Sequence, residues 1–219
     1  MTIAIKKTVK IRINEIFYSI QGETTFSGLP TVFIRLTGCP LRCQYCDTAY
    51  AFHKGDYLTI TEIMNQVAKY NPHYITVTGG EPLAQKSCYT LLSELCQKYE
   101  TVSLETSGAL CTAKVDPKVI KIIDVKTPGS GESSKNYLEN FKHLSTKDQI
   151  KFVICSENDF NWSINFIAEN KLPIKQIMFS PSINQMPIEK LADLILKCNI
   201  PIRLQTQLHK VIWGNTPGK

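Results

Sequence analysis

The sequence lacks any long apolar run, since no stretch of its 219 residues approaches the length of a membrane-spanning helix. The first residues carry Lys6, Lys7, Lys10 and Arg12 among isoleucines, which predicts a strand and not the apolar core of a signal peptide. Concentrated positive charge is also missing, because the net charge of +6 comes from lysines spread along the chain. Such a distribution suits small anionic ligands and gives no footprint for direct nucleic-acid binding. We therefore expect no membrane partner and no nucleic-acid partner.

Cysteine is plentiful in this chain, but most of it is dispersed. Five of the eight cysteines fall in apolar or helix-like stretches with no disulfide-type spacing: Cys88, Cys96, Cys111, Cys155 and Cys198. Disulfide frameworks belong to secreted domains, whereas dispersed thiols are typical of a reducing compartment. We therefore expect a cytoplasmic protein, and at this length a single domain with a core of its own.

The remaining three cysteines, Cys39, Cys43 and Cys46, lie within eight residues in a C-x3-C-x2-C spacing. A 4Fe–4S cube usually takes one thiolate per iron, so three thiolates leave one iron open to a substrate. A structural zinc site is one alternative, for which His53 is the candidate fourth ligand. Buried thiols without a metal are the other alternative.

Short β-branched runs alternate with amphipathic stretches from residue 31 onward, a pattern typical of parallel β/α units. The predicted strands are 31–36, 74–78, 102–105, 120–125, 150–154, 176–179 and 202–205, and the predicted helices are 60–70, 86–99, 134–144, 160–169 and 187–197. A complete barrel of eight units needs about 250 residues. The prediction is therefore an α/β fold, an incomplete and laterally open (β/α) barrel over residues 31–219. Residues 1–30 add an N-terminal extension with a strand at 9–17.

Glycine and polar residues follow these predicted strands. In a barrel of parallel strands, the carboxyl ends carry the functional residues. The segments in question are the cysteine loop, Gly79-Gly80-Glu81-Pro82, Glu105 with Ser107, Lys126, and Ser180-Pro181-Ser182. Glycine lets a backbone approach a ligand closely, and Glu81 is suited to accept hydrogen bonds from an ammonium group.

The cysteine triplet, with aromatic Tyr45 before its last thiol, and the Gly-Gly-Glu-Pro turn together resemble the radical S-adenosylmethionine (SAM) superfamily. The resemblance implies a 4Fe–4S cluster on the three thiolates, with SAM chelating the open iron. The SAM contacts so implied are Tyr45 for the adenine ring, Gly79, Gly80 and Glu81 for the amino group, Glu105 and Ser107 for the ribose, Lys126 for a carboxylate, and Ser180, Pro181 and Ser182 for the adenine edge. The alternatives are a helix N-cap at 105–107 and a solvated lysine at 126.

Nearly the whole chain further resembles the 7-carboxy-7-deazaguanine synthase family within that superfamily, through residues 14–23, 31–39, 46–48 and 207–210. Members of that family convert 6-carboxy-5,6,7,8-tetrahydropterin into 7-carboxy-7-deazaguanine with loss of ammonia, on the pathway to queuosine. The resemblance implies that a 5′-deoxyadenosyl radical takes a hydrogen from C6 of the pterin, which then undergoes ring contraction. It thus predicts a ring-contracting lyase.

A pterin needs in-plane hydrogen bonds and a counter-ion in an enclosed pocket. The resemblance implies substrate contacts from Ile20, Gln21, Gly22, Glu23, Arg35, Thr78 and His209. Of these, Glu23, Arg35 and His209 are the predicted catalytic residues, with His209 closing the pocket from the last strand and residues 215–219 folding over it. For Gln21 and Glu23 the alternative is a solvated hairpin tip, whereas Arg35 lies in a β-branched run and needs a partner if buried.

Two further cofactor and partner predictions come from the resemblance. Thr48 would supply an oxygen to Mg2+, a hard ion that accepts sparse protein ligation, with Asp47 orienting the loop; simple capping of the turn is the alternative. An external electron donor, such as flavodoxin or ferredoxin, and a homodimer are also implied. One departure is Thr24, where the family has glycine, because threonine fits poorly at a position that requires a positive φ.

Three other functions remain open from the sequence. An activating enzyme that installs a glycyl radical on a partner protein would have no use for Gln21, Glu23 and Arg35 together. A non-catalytic iron–sulfur or zinc module would have no use for Gly79, Gly80 or the later polar segments. A related radical SAM enzyme with another small heterocycle is the third.

Overall fold

The computed structural model describes residues 9–214, 216 and 218, and its framework is one sheet of nine strands in the order β3-β1-β2-β4-β5-β6-β7-β8-β9. The strands are β1 Lys10–Ile20, β2 Pro30–Leu36, β3 Asp56–Thr59, β4 Tyr74–Gly79, β5 Thr101–Thr106, β6 Ile120–Val125, β7 Gln149–Ile154, β8 Ile177–Pro181 and β9 Arg203–Leu204. From β2 and β4 through β9 all neighbours are parallel, whereas β1 is antiparallel to both β2 and β3.

The sheet is open, because its edges are β3 and β9 and no strand pairing joins them within the described part of the chain. The predicted α/β fold, an incomplete barrel with an N-terminal strand extension, is therefore confirmed. The extension strand is longer than predicted and reaches Ile20. β3 is a strand that the residue pattern did not predict, and β9 has only two residues.

Four helices cover the outside of the sheet: α1 Ile60–Ala68, α2 Ser87–Lys98, α3 Glu157–Glu169 and α4 Ile188–Cys198. α1 begins in a capping box, in which the Thr59 hydroxyl accepts from the backbone of Glu62 and the Glu62 carboxylate accepts from that of Thr59. A fifth, short helix, α5 Leu208–Trp213, follows β9. No described helix is long and apolar enough to span a membrane.

The prediction of a helix over residues 134–144 is wrong. That segment forms two short 3-10 helices, Ser133–Lys135 and Leu138–His143. The reason is that its asparagines hydrogen-bond to the backbones of neighbouring loops: Asn136 pairs with both the N–H and the carbonyl of Lys126, and Asn140 accepts from Thr112 while donating to Gly108 and Leu110. Such side-chain bonds compete with regular helix.

Side chains alternate along the parallel strands and give the sheet two different faces. On β4, Ile75 and Val77 pack against α1 and α2, and Phe152 on β7 packs against α3. The intervening side chains are polar: Thr76 and Thr78 lie on the other face of β4, and Lys151 lies on that face of β7. The apolar face of the sheet packs against the helices and forms the core. The opposite face, which is concave, carries the polar side chains and lines a cavity.

Candidate functional site

A cavity of about 800 Å³ occupies the concave face of the sheet and the carboxyl ends of its parallel strands. All of the predicted site residues except Glu81 line it: Ile20, Gln21, Gly22, Glu23, Arg35, Cys39, Cys43, Tyr45, Cys46, Thr48, Thr78, Gly79, Gly80, Glu105, Ser107, Lys126, Ser180, Pro181, Ser182 and His209. The structure therefore brings the N-terminal extension, the cysteine loop and the segments after the strands into a single space.

The three clustered cysteines lie in the loop after β2 and are half-buried. Burial raises the pKa of Cys39 and raises that of Cys43 to about 11, although nearby Lys126 acts in the opposite direction on both. Within residues 9–214, 216 and 218, no three Cys, His, Asp or Glu side chains converge on a single-ion site. All three thiols line the same cavity, and three thiolates would leave one iron of a 4Fe–4S cube open.

The two glycines after β4 have a packing role. A Cβ on Gly79 would lie 2.4 Å from the Leu36 carbonyl oxygen, and one on Gly80 would lie 2.4 Å from that of Gly38 and 2.7 Å from the Cys39 Cβ. The backbone N–H of Glu81 also donates to the Gly38 carbonyl over 2.9 Å. Glycine is thus required here so that the turn can pack directly against the cysteine loop.

Glu81 is fully buried beneath that turn. Its carboxylate accepts from the Leu83 N–H at 2.9 Å, from the Thr106 hydroxyl at 2.9 and 3.0 Å, and from the Ser107 N–H at 2.7 Å and hydroxyl. These donors occupy both carboxylate oxygens. The side chain therefore fixes Ser107 at the end of β5, and it does not reach the cavity.

The deep part of the cavity is a hydrogen-bonded group around Gln21. Its amide donates to the Thr76 hydroxyl and to the Glu105 carboxylate, both at 3.2 Å, and its oxygen accepts from the Glu23 N–H at 3.2 Å. The other Glu105 oxygen accepts from Thr78 at 3.0 Å. Burial and the neighbouring Glu23 carboxylate raise the pKa of Glu105. Gln21 and Glu23 are buried and are not a solvated hairpin tip.

Lys151 on β7 is a cavity residue that the sequence interpretation missed. Its ammonium contacts the Glu23 carboxylate at 2.6 Å and that of Asp124, its partner in the β6–β7 register, at 3.5 Å. Although burial opposes the charged form, Glu23, Asp124 and Glu105 raise the pKa of Lys151. The sequence did contain an indication, because Lys151 interrupts an apolar strand just as Arg35 interrupts β2.

Arg35 projects from β2 onto the same face. Its Nε donates to the Glu15 carboxylate at 2.7 Å, and that oxygen also accepts from the Tyr50 hydroxyl at 2.8 Å. The guanidinium lies over the rings of Phe17 and Tyr50, with centroids at 5.6 and 5.8 Å. Arg35 lines the cavity, and neither of its two Nη groups makes a hydrogen bond to a described residue. The charged strand residue thus has the partner that its burial requires.

α5 closes the open side of the sheet. His209 lies on this helix, so the prediction that it lies on the last strand is wrong. The reason is that β9 ends after two residues and the chain then bends toward the hairpin loop. The Leu208 N–H donates to the Gly22 carbonyl at 2.9 Å, and the Gln207 amide donates to Glu23 at 2.8 Å. Burial lowers the pKa of His209, against the opposing influence of Glu23.

The segment after the last cysteine is held by the same helix. The Lys210 ammonium contacts the Asp47 carboxylate at 2.6 Å, and the Thr48 hydroxyl donates to the other Asp47 oxygen at 2.8 Å. Burial favours protonation of Asp47, but Lys210 outweighs it and holds the pKa of the carboxyl well below its usual range. Both Asp47 and Thr48 line the cavity, and their oxygens are the ligand type that Mg2+ prefers.

Thr24 has a positive φ, the backbone conformation that threonine fits poorly. Its φ is +67°, and its side chain is buried, where the hydroxyl accepts from the Phe26 N–H at 3.1 Å. The loop is further attached to β7 by a two-way pair between Thr25 and Gln149 at 2.7 and 3.0 Å. The loop therefore keeps the positive φ that favours glycine, with threonine in it.

The candidates for adenine contact, Tyr45 and Ser180 to Ser182, line the same cavity. Tyr45 is largely buried, and its hydroxyl has no hydrogen-bond partner in the described part of the chain. Ser180 and Pro181 end β8, and the Ser182 N–H donates to the Ile154 carbonyl at 2.9 Å. Of the tail, Thr216 and Gly218 line the cavity, whereas residues 215, 217 and 219 lie outside the described residues.

An open α/β barrel with three thiols in the loop after its first parallel strand defines a radical SAM protein, and residues 33–128 match the Radical SAM superfamily model. The chain is 44% identical over 208 residues to the 7-carboxy-7-deazaguanine synthase of Chlorobaculum tepidum, covering 93% of this chain and 94% of that protein. It therefore belongs to the 7-carboxy-7-deazaguanine synthase family. Membership in the superfamily implies a 4Fe–4S cluster and SAM.

Two solved structures share the fold. The chain superimposes on QueE from Escherichia coli with a TM-score of 0.74 at 21% identity, over 91% of this chain and 95% of that one. Streptococcus suis SuiB, solved with S-adenosylmethionine bound, superimposes with a TM-score of 0.51 at 15% identity, over 78% of this chain and 48% of that one.

Proposed function

We propose that this protein converts 6-carboxy-5,6,7,8-tetrahydropterin into 7-carboxy-7-deazaguanine with release of ammonia. The observation that carries the proposal is that the cysteine loop and the Gln21–Glu23 segment line one cavity. A cluster-binding loop alone would support any radical SAM reaction. A deep, polar group of hydrogen-bonding side chains beneath it suits a small heterocycle such as a pterin.

The cofactor end of the site consists of residues at the strand ends. In the proposal, Cys39, Cys43 and Cys46 hold the 4Fe–4S cluster, and SAM is bound by Tyr45, Gly79, Gly80, Ser107, Lys126 and Ser180 to Ser182. When bound, these groups supply the one-electron chemistry that starts the ring contraction. Glu81 enters as a positioning residue for Ser107, because its own oxygens are occupied and it does not line the cavity.

The substrate end is the group around Gln21. Glu23 and Gln21 would pair with the amino and ring N–H groups of the pterin, and Ile20, Gly22 and Thr78 would form the walls. In the proposal Glu105, expected from the resemblance to contact the ribose of SAM, also borders this end, since its carboxylate is hydrogen-bonded to Gln21 and Thr78. The free Nη groups of Arg35 would neutralise the substrate carboxylate, as bidentate arginine does well.

α5 and the segment after Cys46 complete the site. His209 would close the pocket over the substrate, and exclusion of water is the main contribution that the protein can make to such a rearrangement. We propose that Thr48 supplies an oxygen to Mg2+ while Asp47, tied to Lys210, orients it. An external electron donor such as flavodoxin or ferredoxin, a homodimer and a cytoplasmic location are further parts of the proposal, supported by family membership.

The test is anaerobic reconstitution with iron and sulfide, followed by incubation with dithionite, SAM, Mg2+ and 6-carboxytetrahydropterin. Mass spectrometry should detect 7-carboxy-7-deazaguanine. Cys43→Ala should abolish both the cluster absorbance and the product, whereas Cys111→Ala, which removes an exposed thiol outside the cavity, should preserve both. A wild-type protein that assembles the cluster and yields no deazapurine would refute the proposed substrate.

A further inference from the structure

Lys151 is a mostly buried cation that lines the cavity. It extends from the middle of β7 onto the concave face, with the side chain 15% exposed, and contacts Glu23 at 2.6 Å. Its second contact is to Asp124 on the neighbouring strand at 3.5 Å. A lysine is almost never buried unless it is paired, and here the carboxylates of Glu23 and Asp124 provide the pairing.

These contacts form a continuous row of alternating charges. From the substrate end it passes from Glu23 to Lys151, on to Asp124, and then to Lys126, whose ammonium is 3.1 Å from Asp124. Lys126 is close enough to the cysteine loop to influence Cys43. Lys151 is the only cation in direct contact with Glu23 among the described residues, since the remaining Glu23 oxygen accepts from the neutral amide of Gln207 at 2.8 Å.

We propose that Lys151 is a positioning residue that fixes the Glu23 carboxylate for the hydrogen-bonding edge of the substrate. This inference rests on the proposed function and adds a residue to it. With one Glu23 oxygen on Lys151 and the other on Gln207, the plane of the carboxylate is set before a ligand arrives. Preorganised polar groups of this kind lower the cost of binding.

The surroundings explain why a cation is needed at this position. Glu105 on β5 faces the same space, and the two carboxylates disfavour one another. Arg35 on β2 is engaged with Glu15, and His209 on α5 has a pKa lowered by burial. Lys151 therefore balances Glu23 and Asp124, and without it no described cation would contact the Glu23 carboxylate.

The test compares Lys151→Met, Lys151→Arg and Lys121→Met in the cluster-reconstituted protein. Lys121 is the matched control, because it is an equally buried lysine paired with Asp148 at 2.9 Å, outside the cavity. Binding of pterin-6-carboxylate is measured by fluorescence titration, and kcat and KM are measured with 6-carboxytetrahydropterin. Lys151→Met should raise Kd and KM by at least roughly tenfold, as loss of one partner of a buried charge pair does. Lys151→Arg should restore most of the affinity, and Lys121→Met should lower Tm with Kd unchanged.

A double-mutant cycle with Glu23→Gln shows whether the effect passes through Glu23. Lys151→Met should add little to the loss of affinity in the Glu23→Gln background, because the oriented carboxylate is already gone. Fully additive losses, or a Kd for Lys151→Met within twofold of the wild-type value, would overturn the inference. If the wild-type protein itself binds no pterin-6-carboxylate and turns over no substrate, the proposed function fails instead.

Discussion

Gly22 and His209 are in such close contact that a Cβ atom on Gly22 would lie 1.9 Å from the His209 Nδ1 and 2.9 Å from its backbone nitrogen. The hairpin loop between β1 and β2 and the last described helix therefore meet at a residue with no side chain. The Gly22 carbonyl accepts from Leu208 at the same place. This junction closes the open side of the sheet.

Gly22→Ala should displace α5 and impair catalysis far more than folding. The ring of His209 could rotate away, but its backbone nitrogen cannot, so the start of the helix must move. A misplacement of about 1 Å in a site can lower the rate roughly a hundredfold, and we expect a loss of that order in kcat/KM. Hydrogen exchange at 208–213 should increase while Tm changes little. Normal kcat/KM with unchanged exchange would show that α5 does not depend on this contact.

Thr24→Gly should leave stability almost unchanged, whereas Thr24→Val should lower it. Glycine relieves the strain of a positive φ, about 1 kcal/mol, but removes the Thr24–Phe26 hydrogen bond, worth about the same. Valine keeps the strain and loses the bond, so we expect a loss of about 1–2 kcal/mol in the free energy of unfolding. Urea unfolding of the two variants measures this. If Thr24→Gly proved less stable than Thr24→Val, the strain would be of no consequence.

Glu81→Gln should weaken SAM binding and destabilise the protein together. The variant replaces one acceptor oxygen with an NH2 that faces the hydroxyl and N–H donors of Thr106 and Ser107, at a cost of about 1–3 kcal/mol. Ser107→Ala, which leaves Glu81 and the Ser107 N–H in place, should cost less stability. Thermal unfolding and SAM titration of both variants provide the comparison. Loss of SAM affinity in Glu81→Gln at full stability would favour a direct contact with the ligand.

Acidification should loosen α5 through His209. Burial lowers the pKa of this residue in the folded protein, so below the ordinary histidine pKa of about 6.5 the unfolded chain binds the proton first. This contribution to stability is therefore fully present above that value and declines as the pH falls toward the folded-state pKa. His209→Gln should lose less Tm between pH 7.5 and 5.5 than the wild-type protein. The control is His73→Gln at an exposed position, for which the wild-type dependence should persist.

Much of the fold follows from local patterns, because most of the parallel strands are short β-branched runs and each outer helix has a regular apolar face. Position at the strand ends and the family resemblance together predicted site residues of which all but Glu81 line the cavity. The features that local patterns did not predict depend on contacts between residues that are far apart in the chain. Segment 134–144 has helical composition but uses Asn136 and Asn140 to satisfy other loops. His209 reaches the pocket from a short helix, since α5 is fixed by Gly22 and Glu23, far earlier in the chain.

Glu81 and Lys151 illustrate the same limit within the site. A carboxylate after a glycine pair is expected to meet a ligand, but the packing of that turn against the cysteine loop turns the carboxylate inward to Ser107. The sequence shows Lys151 only as a charge within an apolar strand, and its partners appear once the β6–β7 register places it beside Asp124 and the hairpin loop brings Glu23 to it.

The ratio of 7-carboxy-7-deazaguanine to 5′-deoxyadenosine formed by the reconstituted protein tests the central claim most directly. In the reaction that the family resemblance implies, the rearranged substrate radical recovers a hydrogen from 5′-deoxyadenosine, so that SAM is regenerated. If the substrate is bound beneath the cluster in this cavity, the deazapurine should therefore greatly exceed the 5′-deoxyadenosine. Release of 5′-deoxyadenosine with no deazapurine would contradict the account, because it would show radical chemistry in a cavity that does not hold the pterin.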